Sequence, residues 1–235
     1  MNVLKILSGG AAEGLIKALA PQFEKQTGYT IDGTFGAVGT MADLLRGGAN
    51  ADIVVLTSAV LDRLSEDKLL RPGAPANIGI VETAIAVRNN ERVPPIGSAD
   101  ALRDAFLQAD AIFVPDTKAS TAGMHIAKVF AQLGVADRIA ARLREFPNGA
   151  TAMRNLASFE GMHGIGCTQT TEILITPGLH LVGPLPKELA LATMYAAAIT
   201  ERSNNVLVAQ KLIGLLTADA NREIRTKAGF LSSLT

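Results

Sequence analysis

The chain has 235 residues, of which 48% are hydrophobic and 19% charged, enough to bury a sizeable core and too apolar for a disordered chain. Its 22 basic and 22 acidic residues cancel, and it has no Trp and two Tyr. That excludes a basic track for a phosphate backbone and ring platforms for stacked bases or sugars.

The opening MNVLKILSGG holds one Lys and a brief apolar run, Val3 to Leu7, that reads as a strand. It shows no long hydrophobic region and no cleavage site, so the expectation is a leader already removed or a chain made without one. A helix pattern follows from about Ala11 to Gln26, with Pro21 expected to kink or restart it and Gly28 to stop it. Next come a strand at Tyr29–Phe35, a helix near Val38–Arg46, a strand at Ala51–Leu56 and a helix from Ser58. Strand and helix patterns alternating through short joints predict a parallel α/β sheet.

The extended stretch Ile78–Asn89 interrupts the alternation, which resumes with a strand at Ile112–Val114. Ser120 or Thr121 caps a helix that sets Ile126, Val129, Phe130 and Leu133 on one face, and Gly134 ends it. Leu143–Phe146 is a strand, Asn148 caps a helix carrying Met153 and Leu156, and Gly164–Cys167 is a strand before a short helix at Thr170–Leu174. Ile173 to Pro186 is the longest stretch without Asp, Glu, Lys or Arg, too short to span a bilayer and holding three prolines. The single cysteine, Cys167, excludes an internal disulfide. A second extended segment, Leu189–Thr200, precedes helices from Asn204 onward. Both extended segments read as crossovers between two lobes. The expected organisation is a discontinuous lobe 1, residues 1–80 plus 200–235, and a central lobe 2, residues 81–199, with a ligand cleft between them.

Six strand-to-helix turns are the informative pattern: Ser8-Gly9-Gly10, Gly36-Ala37-Val38-Gly39-Thr40, Thr57-Ser58, Thr117-Lys118-Ala119-Ser120-Thr121, Asn148-Gly149-Ala150-Thr151 and Thr168-Gln169-Thr170-Thr171. Such turns carry free N–H groups, the positive ends of helix dipoles and donating hydroxyls. In open α/β sheets, ligands collect outside the carboxyl ends of the strands. Any one Ser, Thr or Asn there serves equally as an ordinary helix cap. Six together fit a small anion, with Lys118 as the one cation at a turn.

Catalytic patterns are absent from the sequence. No G-x-S-x-G elbow surrounds Ser8, Ser58 or Ser120, and Leu15 stands where the lysine of a phosphate loop starting at Gly9 belongs. His125, His163 and His180 are scattered, without H-E-x-x-H or paired cysteines, so neither a metal site nor a cofactor is expected. With no base paired to a nucleophile, the expectation is a binding protein with no catalytic residues and no enzymatic activity. The alternative is an enzyme acting on a small anionic metabolite, with Lys118 and His125 as polar actors.

The segments VLKILSGGAAEGLIKALAPQFEKQTG, GAVGTMADLLRGGANADIVVLTS, IFVPDTKASTAGMHIAKVF, GMHGIGCTQTTEIL and the closing AGF resemble type II periplasmic binding proteins of the molybdate-binding group. The likeness spans essentially the whole chain and is strongest from Gly36 to Ser58. It implies a type II periplasmic-binding-protein fold of two lobes, each a mixed, mostly parallel sheet flanked by helices. It also implies a monomer that captures a small anion by hinge closure and passes it to an ABC permease in the membrane. The implied ligand-binding residues are Ser8, Gly9, Gly10, Val38, Gly39, Thr40, Thr57 and Ser58 from one lobe, with Lys118, Ser120, Thr121, Thr151 and Gln169 from the other. Ala37-Val38 stands where the family has a serine, no tyrosine lies near Gln169, and Lys118 adds charge. These departures widen the expected ligand from a molybdate-like oxyanion to a small organic carboxylate. The implied location is the periplasm, and a cytoplasmic anion sensor is the alternative for a chain without a leader.

Overall fold

An apolar run makes the first strand, β1 (Asn2–Gly9), in which Leu4 and every residue from Ile6 to Gly9 are buried. The computed structural model describes residues 2–233. These divide into two compact units: one runs to Val81 and resumes at Thr193, and the other is Glu82–Ala192.

In the first unit β1 is followed by a 3-10 turn, Gly10–Ala12, and by α1 (Glu13–Thr27), which buries Leu15, Ile16, Leu19 and Phe23. The helix does not restart at Pro21, and α1 runs through it. Pro21 and Lys17 are both exposed, so the one carbonyl that loses its donor faces water. Gly28, at φ 70°, ends the helix in the left-handed conformation that glycine tolerates. Then come β2 (Tyr29–Gly36), α2 (Val38–Arg46), β3 (Ile53–Thr57) and α3 (Ser58–Glu66). Strand β1 pairs in parallel with β2, Gly9 facing Gly36, and with β3, Ser8 facing Val55.

Strand β4 (Ala76–Arg88) carries the chain into the second unit. There α4 (Ala99–Gln108) lies in a stretch the sequence reading left unassigned. Ser98 caps it by accepting from the Ala101 N–H, and Leu102 and Phe106 are buried. The following elements are β5 (Ala111–Pro115), α5 (Thr121–Gln132), α6 (Ala136–Ile139), β6 (Leu143–Phe146), α7 (Gly149–Ala157), β7 (Gly164–Gln169), α8 (Thr170–Leu174) and β8 (Leu179–Pro184). Strand β5 is parallel to β6 and β7, whereas β4 runs antiparallel to β7 and β8. One core packs around Ile85, Phe106 and Phe130, and another around Phe113, Met153 and Leu156.

The chain returns to the first unit through β9 (Ala192–Ile199), antiparallel to β3 with Tyr195 facing Thr57. Helices α9 (Val206–Thr217) and α10 (Arg222–Lys227) close that unit. Leu212, Leu215, Leu216 and Phe230 share a core with Leu15, Leu19 and Phe23. No described helix is long and apolar enough to cross a membrane.

Candidate functional site

Parallel register decides which turns share an end of a sheet. In the first unit the pairings of β1 with β2 and β3 place Ser8, Gly9 and Gly10, then Val38, Gly39 and Thr40, then Thr57 and Ser58, at neighbouring strand ends. Ser8 is fully buried and its hydroxyl donates to the Gly9 carbonyl at 2.9 Å, so it is already engaged. A Cβ on Gly9 would meet Tyr195 Cε1 and Val38 Cγ2 at 3.1 Å each, so this backbone lies directly against both side chains. Tyr195 was missed in the sequence, where it sits inside an extended run. Its one signal there was being one of two tyrosines.

Helices α2 and α3 begin without a side-chain cap, since neither Ala37 nor Thr57 bonds the first turn. Their leading N–H groups are left for another acceptor. Beside them, Ser58 Oγ is buried with no hydrogen-bond partner.

In the second unit the parallel strands β5, β6 and β7 bring the remaining turns to one end of their sheet. The turn after β5 is closed upon itself. Asp116 Oδ1 accepts from the backbone N–H groups of Lys118 at 2.7 Å and Ala119 at 2.8 Å, which hold its carboxyl below the ordinary range. Glu145 Oε2 accepts from Thr117 N at 3.2 Å and its hydroxyl at 2.8 Å. Lys118 itself is exposed. Ser120 caps α5 by accepting from Gly123 N at 3.4 Å, and Thr121 opens that helix. Thr151 is committed twice: its N–H donates to Asn148 Oδ1 and its hydroxyl accepts from Arg154. His125 Nε2 lies 2.8 Å from the Leu189 carbonyl, a contact that ties α5 to the loop before β9.

Gln169 differs from all of these. It ends β7 at 2% exposure, and neither its Nε2 nor its Oε1 has a partner. Thr83 stands directly across the antiparallel pair from it, and Thr171 follows on α8; both are buried and both hydroxyls lack a partner. Sequence reading named Gln169 but not Thr83, whose position depends on β4 pairing with a strand more than eighty residues away. Next to this group Thr168 Oγ1 donates to Glu172 Oε2, both buried, beneath the Gly149 backbone that starts α7.

A curated relative from a Pseudomonas species, named aconitate isomerase, is 26% identical over 95% of this chain and 86% of its own length. The periplasmic molybdate-binding protein of Azotobacter vinelandii superposes with a TM-score of 0.80 at 18% identity, covering 98% of this chain and all of the other. The sulfate-binding protein of Mycobacterium tuberculosis gives 0.77 at 14% identity, covering 98% and 86%. The isomerase overturns the expectation that the chain has no enzymatic activity. The error has a physical reason: an isomerase that relocates a proton or a double bond needs no nucleophile, so the missing nucleophile–base pair did not bear on it. The family described as bacterial extracellular solute-binding protein matches residues 4–231, and the chain belongs to that family.

Proposed function

We propose that the protein binds a small polycarboxylate through its polar strand-to-helix turns and isomerises it, with aconitate as the first substrate to test. The observation that carries this reading is Gln169, a buried amide with both polar atoms unpartnered, with Thr83 opposite it in register and Thr171 two residues on, whose buried hydroxyls are likewise unpartnered. Buried polar groups are nearly always hydrogen-bonded, so a cluster of orphans points to a bound group that completes them. In the first unit the uncapped starts of α2 and α3 and the orphaned Ser58 hydroxyl are donors of the same kind for an anion's oxygens.

The chemistry is compatible with such a site. Aconitate is an unsaturated tricarboxylate with a CH2 group beside its double bond. Transferring a proton from that CH2 to a basic group, which then holds it, spreads the C–H electron pair over the allylic carbons and onto the adjoining carboxylate. Returning the proton at the other carbon completes the shift. Fixed donors aimed at the carboxylate oxygens stabilise that developing charge, and losing one such donor costs about 10²–10³ in rate in well-studied cases.

Capture for uptake is the second reading, favoured by membership of an extracellular solute-binding family. In that role the protein would capture a carboxylate or oxyanion without converting it. The protein would work in the periplasm, beside an ABC permease. One experiment separates the readings. Purified protein is incubated with cis-aconitate and with trans-aconitate, and each solution is followed by proton NMR, with thermal shift recorded in parallel. Interconversion that falls in Gln169→Met and Ser58→Ala supports the isomerase. Stabilisation by aconitate without turnover supports capture alone, and no response to any polycarboxylate refutes both.

A further inference from the structure

Gln169 places a demand on the ligand that the neighbouring turns do not. Backbone N–H groups and hydroxyls satisfy any anion, including a fully ionised oxyanion. An amide carries an acceptor as well as two donors, and the acceptor needs a proton brought to it. Gln169 is 2% exposed and both amide atoms lack partners, so interchanging its nitrogen and oxygen leaves the demand unchanged. Thr83, opposite it in register, and Thr171, two residues on, are each 1% exposed with unpartnered hydroxyls, so the amide's neighbours in sheet and chain are polar and withdrawn from solvent.

We propose that Gln169 recognises an O–H group of the ligand, carried by a protonated carboxyl or by a hydroxyl. The complementary arrangement is a two-point contact: an Nε2–H donates to a ligand oxygen, and the ligand O–H donates to Oε1. A carboxylic acid matches both points at once, whereas a carboxylate matches only the first and sets its oxygen against Oε1. This inference rests on the carboxylate reading and narrows it. Simple oxyanions that are fully ionised at neutral pH leave Oε1 orphaned. A polycarboxylate without a hydroxyl must therefore take up a proton when it binds.

Charged groups also stand on the elements around Gln169: Glu82 on β4, Glu172 on α8, His125 and Lys128 on α5, Arg154 on α7, and Asp116 and Lys118 in the turn after β5. Gln169→Met leaves all of them in place, so it separates their contribution from that of the amide.

The test is calorimetric titration of the full chain with tricarballylate, which has three carboxyls and no hydroxyl, with citrate, which adds a hydroxyl, and with sulfate. Measurements run from about pH 5.5 to 8 in buffers of different ionisation heat, a range that spans the last ligand carboxyl and little on the protein but histidine. The expected result is uptake of one proton per tricarballylate, its affinity falling about tenfold for each pH unit above the ligand's last pKa. Where the hydroxyl is the group read, citrate instead binds without proton uptake and more tightly than tricarballylate. Gln169→Met should abolish the proton uptake or the citrate advantage. Tricarballylate binding with no proton uptake and no preference for citrate overturns the inference yet leaves the carboxylate reading standing. The same signature persisting in Gln169→Met overturns it as well. Binding of sulfate with no carboxylate binding at any pH removes the carboxylate reading and this inference together. The wild-type data decide between these outcomes even where the variant does not fold.

Discussion

Gly149→Ala should destabilise the second unit out of proportion to its single added methyl group. A Cβ built on Gly149 falls 2.5 Å from Glu172 Cδ and inside the contact distance of Glu172 Oε2 and Thr168 Oγ1. Thr168 is fully buried and Glu172 is 5% exposed, so neither side chain has solvent to swing into. Accommodating the methyl group requires the Thr168–Glu172 hydrogen bond to open. Overpacking of a dense interior costs about 1–3 kcal/mol, and loss of a hydrogen bond to a carboxylate about 1.5–3 kcal/mol. Replacing glycine within a helix returns at most about 1 kcal/mol. The net expectation is a loss of about 2–5 kcal/mol. Gly214→Ala is the matched control, because no heavy atom lies within 4 Å of its added Cβ on α9. That substitution should stabilise by about 0.5–1 kcal/mol. Urea unfolding followed by far-ultraviolet circular dichroism reads both. A Gly149→Ala protein as stable as the parent would show that Glu172 and Thr168 are not locked against α7, and the account of that turn would be wrong.

Other consequences are as direct. Asp116, its pKa lowered by the Lys118 and Ala119 N–H groups, steadies its turn only when ionised. Its contribution is present above the ordinary carboxylate value of about 4 and is lost as pH falls through the lowered pKa. Asp116→Ala should therefore flatten the acid limb of a plot of urea midpoint against pH, and an unchanged limb would count against the cap. Burial pushes the Cys167 thiol up, so a thiol-specific dye should leave the native protein unlabelled and label it fully in denaturant. Rapid native labelling would contradict the packing of β7. Phe23→Ala, at a fully buried position of α1, should cost about 3–5 kcal/mol in the same urea assay, and a cost under 1 kcal/mol would mean the site collapses around the gap.

Much of the fold was legible because it is written locally. The bounds of α2, β6 and α8 follow from apolar period and turn residues, and match the structure residue for residue. Asn148 and Ser120 declare their helices by capping them. Pro21 does not divide α1, because its cost depends on where the freed carbonyl points, and α1 turns that side to water. Helix α4 went unread although Ser98 marks its start, because the proline-rich stretch before it masks the period. Strand β8 was seen only as an uncharged run, since its partner β4 lies about ninety residues earlier.

The site divides along the same line. That the turns are polar and gather at strand ends could be read from residue type and parallel order. Which of their groups remain open could not. Ser8, Thr117, Lys118, Ala119 and Thr151 all look like donors in the sequence, but Gly9, Glu145, Asp116, Asn148 and Arg154 already engage a donor or the hydroxyl of each. Tyr195 reaches Gly9 only because β9 returns to pair with β3. Gln169 is exceptional because Thr83, brought opposite it by an antiparallel strand, offers no partner within reach of its amide. Residue type sets what a side chain could bond. Whether it is already bonded depends on partners distant in sequence, and only the tertiary structure brings those to it or withholds them.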